Sequence, residues 1–250
     1  MLRIALPNKG RLAEDVRGVF ADAGLEIRAR GERALTASLG GEFEAIFVRS
    51  QDIPELVADG VADAGVTGWD LVCETGKPVD VRLDLEFGRC RLVLAARDDS
   101  DLTRPEQLPP GTRAATVFPR LARAFFAEKS LAVEVVPVSG AAEVAPHLGI
   151  ADVVVDLTST GSTLRTNGLK EVCTLIESTA RLIARPGLGP DKVRALGELE
   201  DALGSVLRAR GKRYLMANVP RANLEAVREV LPGISGPTVI ELYGGGPLVA

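Results

Sequence analysis

An acid and a run of hydroxyl side chains stand together in residues 151–163, ADVVVDLTSTGST. The valines at 153–155 predict a buried strand, and the residues after the hydroxyls predict a short helix that ends at Asn167 and Gly168. A loop between a strand and a helix directs backbone N–H groups and the positive end of the helix dipole at one point, which suits a phosphate. Asp156 adds a group that binds hydroxyls or a metal, so a ribose 5-phosphate is the simplest ligand. The alternative is an ordinary turn in which a serine or threonine caps the helix.

Basic residues stand before two other predicted helices. Lys9 and Arg11 flank Gly10 after a short strand, and Arg49 ends a strand directly before a helix that begins near residue 50. Cations at a helix N-terminus oppose the helix dipole, so a bound anion is one reason for their presence. Solvated surface charge is the other. Asp70 follows the next strand and is either a helix-start acid or part of the same site.

Strands and helices alternate along the chain, a pattern that predicts an α/β fold with largely parallel strands. We expect a first lobe formed by residues 1–88 and completed by about 179–211, a second lobe of residues 89–178, and a C-terminal segment of residues 212–250. Loops of both lobes then face a cleft between them, as in bilobal binding proteins.

Glu143 lies in the first turn of a predicted helix, residues 141–148, where an acid complements the helix dipole. It also precedes the Asp156 loop by one βα unit. A long amphipathic helix follows the second lobe, with apolar residues that include Val193, Leu196 and Leu199 on one face. Strands are predicted at 2–6, 43–48, 63–67, 91–96, 113–117, 133–138, 151–155, 171–178, 180–184, 212–219 and 238–243, and further helices at 12–23, 50–60, 119–129 and 221–231.

The composition excludes several classes of function. The 250 residues carry a net charge of −4 and only 4% aromatic side chains, which is unsuited to binding nucleic acid. The single histidine, His147, excludes a His-ligated zinc site and Ser–His catalysis. Three separated cysteines without a CxxC pair indicate reduced thiols. With no secretory segment and no apolar run long enough to span a bilayer, the expected location is cytoplasmic.

Several segments resemble the ATP phosphoribosyltransferases, the first enzymes of histidine biosynthesis. LPNKGRL at 6–12, FVRSQDIPELV at 47–57 and DAGVTGWDLV at 63–72 are similar to the N-terminal lobe of that family. RAATVFP at 113–119 and SGAAEVAPHLGIADVVVDLTSTGSTLRTNGL at 139–169 are similar to its second lobe. The resemblance covers residues 1–186 and implies two lobes of periplasmic-binding-protein-like type.

The resemblance implies that N1 of the adenine of ATP attacks C1 of phosphoribosyl pyrophosphate, releasing pyrophosphate with inversion at the sugar carbon. Mg²⁺ is expected to enter with phosphoribosyl pyrophosphate rather than in a dedicated protein site. The implied catalytic residues are Lys9, Arg11 and Arg49. The implied substrate-binding residues are Gly10, Leu12 and Asp70 around ATP and pyrophosphate, and Glu143, Asp156, Leu157, Thr158, Ser159, Thr160, Gly161, Ser162 and Thr163 around the ribose 5-phosphate.

This reaction agrees with the residues present. A neutral ring nitrogen is already a nucleophile, so no serine, cysteine or histidine base is required. The site must align two polyanions, an effect worth up to about 7–11 kcal/mol in favourable cases. It must also stabilise the charge that develops on pyrophosphate, for which the three cations are candidates.

Residues 212–243 resemble the beginning of the ferredoxin-like regulatory domain of the longer family members. They supply βαβ, half of a complete βαββαβ domain. Feedback inhibition by histidine is therefore in doubt, and the sequence is either incomplete here or the half-domain packs against a partner. The resemblance implies a homo-oligomer, a dimer or a hexamer. A separate regulatory subunit is the less expected arrangement.

Two other functions remain open at this point. A phosphoribosyltransferase for free nucleobases also has an acid followed by TGxT, but it usually carries paired acids before the loop, whereas Asp156 stands alone after three valines. A bilobal small-molecule binding protein would use the cleft without any chemistry.

Overall fold

The structure is a computed structural model that describes residues 1–29, 34–231, 238–241 and 248–249. The chain divides into two compact units, Met1–Arg208 and Ala209–Ala250. The strands are β1 Leu2–Pro7, β2 Arg28–Ala29, β3 Thr36–Ser38, β4 Phe43–Val48, β5 Ala64–Gly68, β6 Asp80–Asp84, β7 Cys90–Arg97, β8 Thr112–Thr116, β9 Val133–Pro137, β10 Val153–Thr158, β11 Leu169–Ser178, β12 Ala180–Ala184, β13 Val219–Pro220 and β14 Leu248–Val249. The α-helices are α1 Arg11–Asp22, α2 Ile53–Ala58, α3 Trp69–Thr75, α4 Pro119–Glu128, α5 Ser162–Thr166, α6 Pro190–Ala209 and α7 Leu224–Val230.

Two sheets organise the larger unit. The first has the order β2-β3-β4-β1-β5-β12-β6, with β1 parallel to β4 and β5, and β12 antiparallel to its neighbours. The second has the order β11-β7-β10-β8-β9, with β8 parallel to β9 and β10, and β7 antiparallel to β10 and β11. The first lobe below means the part built on the first sheet, and the second lobe the part built on the second.

Apolar faces of helices close both lobes. In the first lobe α1 and α6 bury Val16, Phe20, Leu199 and Leu203 against the sheet. These side chains recur at helical spacing, so they form one apolar face. Val193, which the pattern placed on the same face of α6, is exposed instead. In the second lobe α4 buries Ala122 and Phe126, with Phe125 packed beside them.

The chain crosses between the sheets at two adjoining places. It leaves the first sheet after β6 and enters the second at β7, and it returns through the short step from β11 to β12. Ser178 pairs with Cys90 in the second sheet, whereas Ala180 pairs with Gly68 in the first. Thr179 is therefore the one residue between the two ladders on the returning segment.

Three sequence predictions are wrong in detail. The strand predicted at 151–155 runs from Val153 to Thr158, because Asp156, Leu157 and Thr158 pair with β7. The helix predicted at 141–148 is a single 3₁₀ turn, Ala142–Val144. Pro146 has no N–H to continue an α-helix there. The short strands β2, β3 and β6 were not predicted.

The unit Ala209–Ala250 contains less strand than the sequence predicts. Residues 212–218 are not a strand, and Val219 and Pro220 pair with β14. The predicted helix appears as a 3₁₀ turn followed by α7. Most of the strand predicted at 238–243 has no partner or lies outside the described residues, although Glu241 bridges to Val249.

No helix among the described residues is long and apolar enough to cross a membrane.

Candidate active site

A cavity of about 440 Å³ lies where loops of both lobes meet. The start of α1, the β5–α3 joint and the end of β10 contribute to its wall, together with the segment that crosses between the sheets. The lining residues are Arg11, Leu12, Asp15, Gly68, Asp70, Leu71, Gly88, Arg89, Cys90, Leu157, Thr158, Ser159 and Ala180. The cavity is thus a cleft between two α/β lobes, at the ends of their strands, where such folds bind ligands.

The cavity brings together six of the residues that the sequence proposed for substrates or catalysis. They are Arg11, Leu12, Asp70, Leu157, Thr158 and Ser159. The wall does not include Lys9, Gly10, Arg49, Glu143, Asp156, Thr160, Gly161, Ser162 or Thr163.

The sequence did not indicate four further residues of the cavity wall. Three carry polar or thiol groups and the fourth is the glycine beside the Asp70 carboxylate: Asp15, Arg89, Cys90 and Gly68. Asp15 follows Arg11 by four residues on α1, so helical spacing could have placed both on one face. Arg89 and Cys90 follow Gly88 at the crossing between lobes. No local pattern marks them, because their position depends on how the two sheets are connected.

Asp70 is a buried carboxylate in the wall of the cavity. It is 3% exposed, and it forms no ion pair with any residue that the structure describes. The Ser178 hydroxyl donates to Asp70 Oδ1 at 2.5 Å, and the Asp70 backbone N–H donates to Ser178 Oγ at 3.0 Å. Burial raises the pKa of this carboxyl, and the Ser178 hydrogen bond opposes that rise. Structural stability alone does not favour a buried acid without a cation.

Gly68 leaves the space that the Asp70 carboxylate occupies. A Cβ at this position would lie 2.3 Å from Asp70 Oδ1 and 3.2 Å from its Cγ. The backbone of Gly68 is ordinary extended chain, so the requirement for glycine is steric rather than conformational. The spacing of Gly68 and Asp70 therefore lets the first turn of α3 fold its carboxylate back towards β5.

Asp156 and Glu143 form a second acidic region beside the cavity. Asp156 projects from β10 and accepts a hydrogen bond from the Leu157 N–H at 2.8 Å. Burial raises the pKa of Asp156, and the negative charge of Glu143 raises it further. The two acids are therefore close enough to interact, although Glu143 comes from the 3₁₀ turn and not from a full helix. Together they can accept hydrogen bonds from sugar hydroxyls or face a cation.

The loop between β10 and α5 has its own hydrogen bonds. The Gly161 N–H donates to Thr158 Oγ1 at 2.8 Å, and the hydroxyls of Thr160 and Ser162 lie 2.9 Å apart. Gly161 precedes α5 with φ of +74°, a left-handed conformation that favours glycine, and no side chain caps the helix. The N-cap residue itself supplies no capping side chain, but the Ser162 N–H, the first of α5, donates to Thr160 Oγ1 at 3.4 Å, so threonine hydroxyls of the loop still serve the helix start.

The remaining predicted cations lie outside the cavity wall. Arg49 follows β4 and pairs with Asp52, with Nε 2.8 Å from Oδ2, and its side chain is 63% exposed. Lys9 is exposed in the turn before α1. Gly10 has φ of +83°, so the turn that presents Lys9 and Arg11 needs a residue that adopts this conformation.

Nucleophilic groups near the cavity are not activated. Burial and the nearby charge of Asp70 raise the pKa of the Cys90 thiol, which keeps it protonated. His147 Nε2 lies 2.6 Å from the backbone carbonyl of Asn167, a structural contact. Neither the Cys90 thiol nor His147 is therefore poised to act as a nucleophile in the cavity.

Comparison with known proteins decides the family. A model described as ATP phosphoribosyltransferase matches residues 49–203, and a model described as the HisG C-terminal domain matches residues 209–250. The chain belongs to the ATP phosphoribosyltransferase family. It is 66% identical to the ATP phosphoribosyltransferase of Gemmatimonas aurantiaca, with 100% of this chain and 88% of the relative covered. It is 46% identical to that of Methanopyrus kandleri, with 100% and 87% covered.

Solved structures give the same assignment. A chain of the ATP phosphoribosyl transferase (HisG:HisZ) complex from Thermotoga maritima aligns with a TM-score of 0.72 and 27% identity, over 83% of this chain and 99% of that chain. The substrate binding protein of an amino acid ABC transporter aligns at a TM-score of 0.53 and 12% identity, over 83% of this chain and 92% of that chain. The second likeness concerns the fold alone, and it confirms the predicted lobes of periplasmic-binding-protein-like type.

Membership of the family establishes the reaction. The chain is a glycosyltransferase that joins ATP and 5-phosphoribosyl 1-pyrophosphate to give N1-(5-phosphoribosyl)-ATP and pyrophosphate, the first step of L-histidine biosynthesis.

Proposed function

We propose that the phosphoribosyl transfer takes place in the cleft between the lobes, with the sugar held by the second lobe and ATP by the first. The observation that carries the proposal is the mixed lining of the cavity, to which Arg11 and Asp70 contribute from one lobe and Thr158 and Ser159 from the other. Two large anionic substrates have to meet with their reacting atoms aligned, and facing walls can hold one substrate each.

The loop after β10 is proposed to hold the ribose 5-phosphate. Its serine and threonine hydroxyls, and the N–H groups at the start of α5, are donors that suit a phosphate. The left-handed turn at Gly161 supports this role, because a glycine N-cap places no side chain of its own over the helix start. Asp156 and Glu143 would then lie beside the sugar. Their negative charge favours the positive character that C1 acquires as its bond to pyrophosphate breaks.

The chemical step needs no protein base. The lone pair of adenine N1 forms the new bond to C1, and the electron pair of the C1–O bond leaves with pyrophosphate. This chain supplies alignment and charge instead. Of the three cations predicted for the leaving group, Arg11 lies in the cavity wall, and Lys9 and Arg49 stand at neighbouring strand ends of the same lobe. The raised pKa of the Cys90 thiol supports a mechanism without a protein nucleophile.

Magnesium is proposed to enter with phosphoribosyl pyrophosphate. Among the described residues there is no group of three or more histidine, cysteine or acidic side chains that could hold a metal. The pair Asp156 and Glu143 fits an ion that is bound mainly by substrate oxygens, which is how Mg²⁺ commonly binds in phosphate chemistry. Such an ion would neutralise charge on the departing pyrophosphate.

A homo-oligomer is the proposed working state. Exposed apolar side chains concentrate in the unit Ala209–Ala250, where Tyr214, Leu215, Met216, Val230 and Ile240 are exposed. Such a concentration favours a partner surface. A separate regulatory subunit is the alternative, and the similar Thermotoga maritima structure is a HisG:HisZ complex of two different chains. Native mass of the purified chain separates the two, since a homo-oligomer forms without any second protein. A cytoplasmic location fits a biosynthetic enzyme that uses ATP.

The sugar-phosphate assignment is tested with two threonines of α5. Thr163 lies at the start of this helix and Thr166 at its end, and both are exposed. Thr163→Val should raise the KM for phosphoribosyl pyrophosphate by about tenfold or more, because it removes a donor that water cannot replace in the bound state. Thr166→Val should change it less than about twofold.

Pyrophosphate release with ATP and with hypoxanthine as acceptor completes this test. Turnover with hypoxanthine alone would contradict the proposed acceptor and favour a nucleobase enzyme. Equal KM values for the wild type and Thr163→Val would show that the loop does not hold the sugar phosphate. Tight binding of either substrate without product would favour a bilobal binding protein.

A further inference from the structure

The buried Asp70 carboxylate owes its orientation to a residue that is distant in sequence. Ser178 is 3% exposed and belongs to β11, whereas Asp70 belongs to α3, and the two are 108 residues apart. The serine hydroxyl donates to Oδ1 at 2.5 Å while its oxygen accepts the Asp70 N–H at 3.0 Å. Ser178 is not part of the cavity wall, so any effect it has on substrate is indirect, and Asp70 is the lining side chain to which its hydroxyl donates.

Two further contacts limit where the carboxylate can go. On the β5 side the carboxylate lies against the Gly68 backbone, close enough that a Cβ on Gly68 would lie 2.3 Å from Oδ1. The backbone of Ser178 is fixed by its pairing with Cys90 in the second sheet, and Cys90 itself lines the cavity. The carboxylate is thus held between the backbone of one lobe and a hydroxyl of the other, with one edge towards the cavity.

Ser178 occupies the last position of the second sheet before the chain returns to the first. It pairs with Cys90, the first residue of β7, and Thr179 after it accepts the Trp69 N–H at 2.9 Å. The hydroxyl that orients Asp70 is therefore fixed to both segments that cross between the lobes.

We propose that Ser178 is a positioning residue for the phosphoribosyl transfer, which holds the Asp70 carboxylate in the orientation that ATP meets in the cleft. The inference rests on the proposed function, because it assigns Asp70 to substrate. A serine suits this task better than a cation, since it orients the carboxylate without neutralising its charge.

A double-mutant cycle with Ser178→Ala and Asp70→Ala tests the inference. Loss of a hydrogen bond to a charged group changes an equilibrium or rate constant by roughly 10- to 100-fold. Ser178→Ala should therefore lower kcat/KM for ATP by about that factor. Ser178→Thr keeps the hydroxyl and should recover part of the loss. In the Asp70→Ala background, Ser178→Ala should change kcat/KM less than about twofold, because the group it orients is absent.

Trp69 supplies a second measurement if turnover of the Asp70→Ala variants is too slow. It is the only tryptophan of the chain and adjoins Asp70, so its fluorescence can report ATP binding directly. The cycle is then completed with dissociation constants. Thr112→Val is the matched control: it also removes a buried hydroxyl, which donates to the Pro109 carbonyl away from the cavity, and it should leave ATP kinetics unchanged.

The outcomes separate this inference from the proposed function. No turnover of ATP with phosphoribosyl pyrophosphate by the wild type would count against the proposed function itself. An active wild type with unchanged kinetics in Ser178→Ala would overturn the inference alone. Full activity of Asp70→Ala, or equal losses from Ser178→Ala in both backgrounds, would also overturn it, because the serine would then not act through Asp70.

Discussion

Glu74 makes a contact between the lobes that should contribute measurably to stability. Its carboxylate oxygens accept the backbone N–H groups of Arg120 and Leu121, each at 2.9 Å. Those residues form the first turn of α4, where N–H groups have no partner within the helix. No side chain of α4's own N-cap, Phe118, caps the helix. An acid from α3 of the first lobe therefore caps a helix of the second.

The stability lost on removing the Glu74 carboxylate follows from two effects. Loss of a helix cap costs about 0.5–2 kcal/mol, and loss of a negative charge at a helix N-terminus costs about 0.3–1 kcal/mol. Glu74 is half-buried, so water replaces part of both, and we expect Glu74→Ala to lower the free energy of unfolding by roughly 2 kcal/mol. With a urea m-value of about 3 kcal/mol/M, the unfolding midpoint falls by about 0.7 M. Glu74→Gln keeps an acceptor and should lose about half as much.

Urea unfolding followed by Trp69 fluorescence measures this effect, because Trp69 begins the helix that carries Glu74. Glu128→Ala is the matched control, since Glu128 is an exposed acid at the opposite end of α4. A negative charge there opposes the helix dipole, so its removal should leave the midpoint unchanged or raise it slightly. A wild-type midpoint in Glu74→Ala, or equal losses in both variants, would refute the interlobe cap.

Two further predictions concern the acids of the cleft. Gly68→Ala should displace the Asp70 carboxylate and lower kcat/KM about tenfold or more. The control Gly18→Ala, in open space on α1, should keep activity and gain about 0.5–1 kcal/mol in stability. Wild-type kinetics for Gly68→Ala would contradict the steric argument. Burial and the charge of Glu143 raise the pKa of the Asp156 carboxyl. The folded state therefore keeps the carboxyl proton to a higher pH than the unfolded state does. The contribution of Asp156 to stability falls as pH rises from about 4, the unfolded pKa, through the raised pKa of the folded state. Asp156→Asn should therefore unfold at a higher urea concentration than the wild type at pH 7 but not below about pH 4, while its turnover is lost; a pH-independent difference would contradict the linkage.

The candidate site was partly predictable because its motifs are local. The strand-end positions of Arg11, Asp70 and the 158–163 loop follow from alternating apolar runs and glycines. Arg11, Asp70 and the first two residues of that loop, Thr158 and Ser159, do meet at the cavity. Asp15 and Arg89 were missed because membership of the wall depends on which helix face and which crossing segment turn towards the cleft.

The sequence by itself determined the α/β alternation, the hydroxyl loop after an apolar strand and the lack of residues for a Ser–His pair or a His-ligated zinc site, since His147 is its single histidine. These properties follow from side-chain type and short-range spacing. Only the tertiary structure decided that Asp156 lies within β10, that Ser178 orients Asp70 and that Glu74 caps α4. Each of these contacts joins residues far apart in the chain, and their meeting depends on sheet register and on how the chain crosses between the lobes. Local periodicity of the sequence carries no information about sheet register or about how the chain crosses between the lobes.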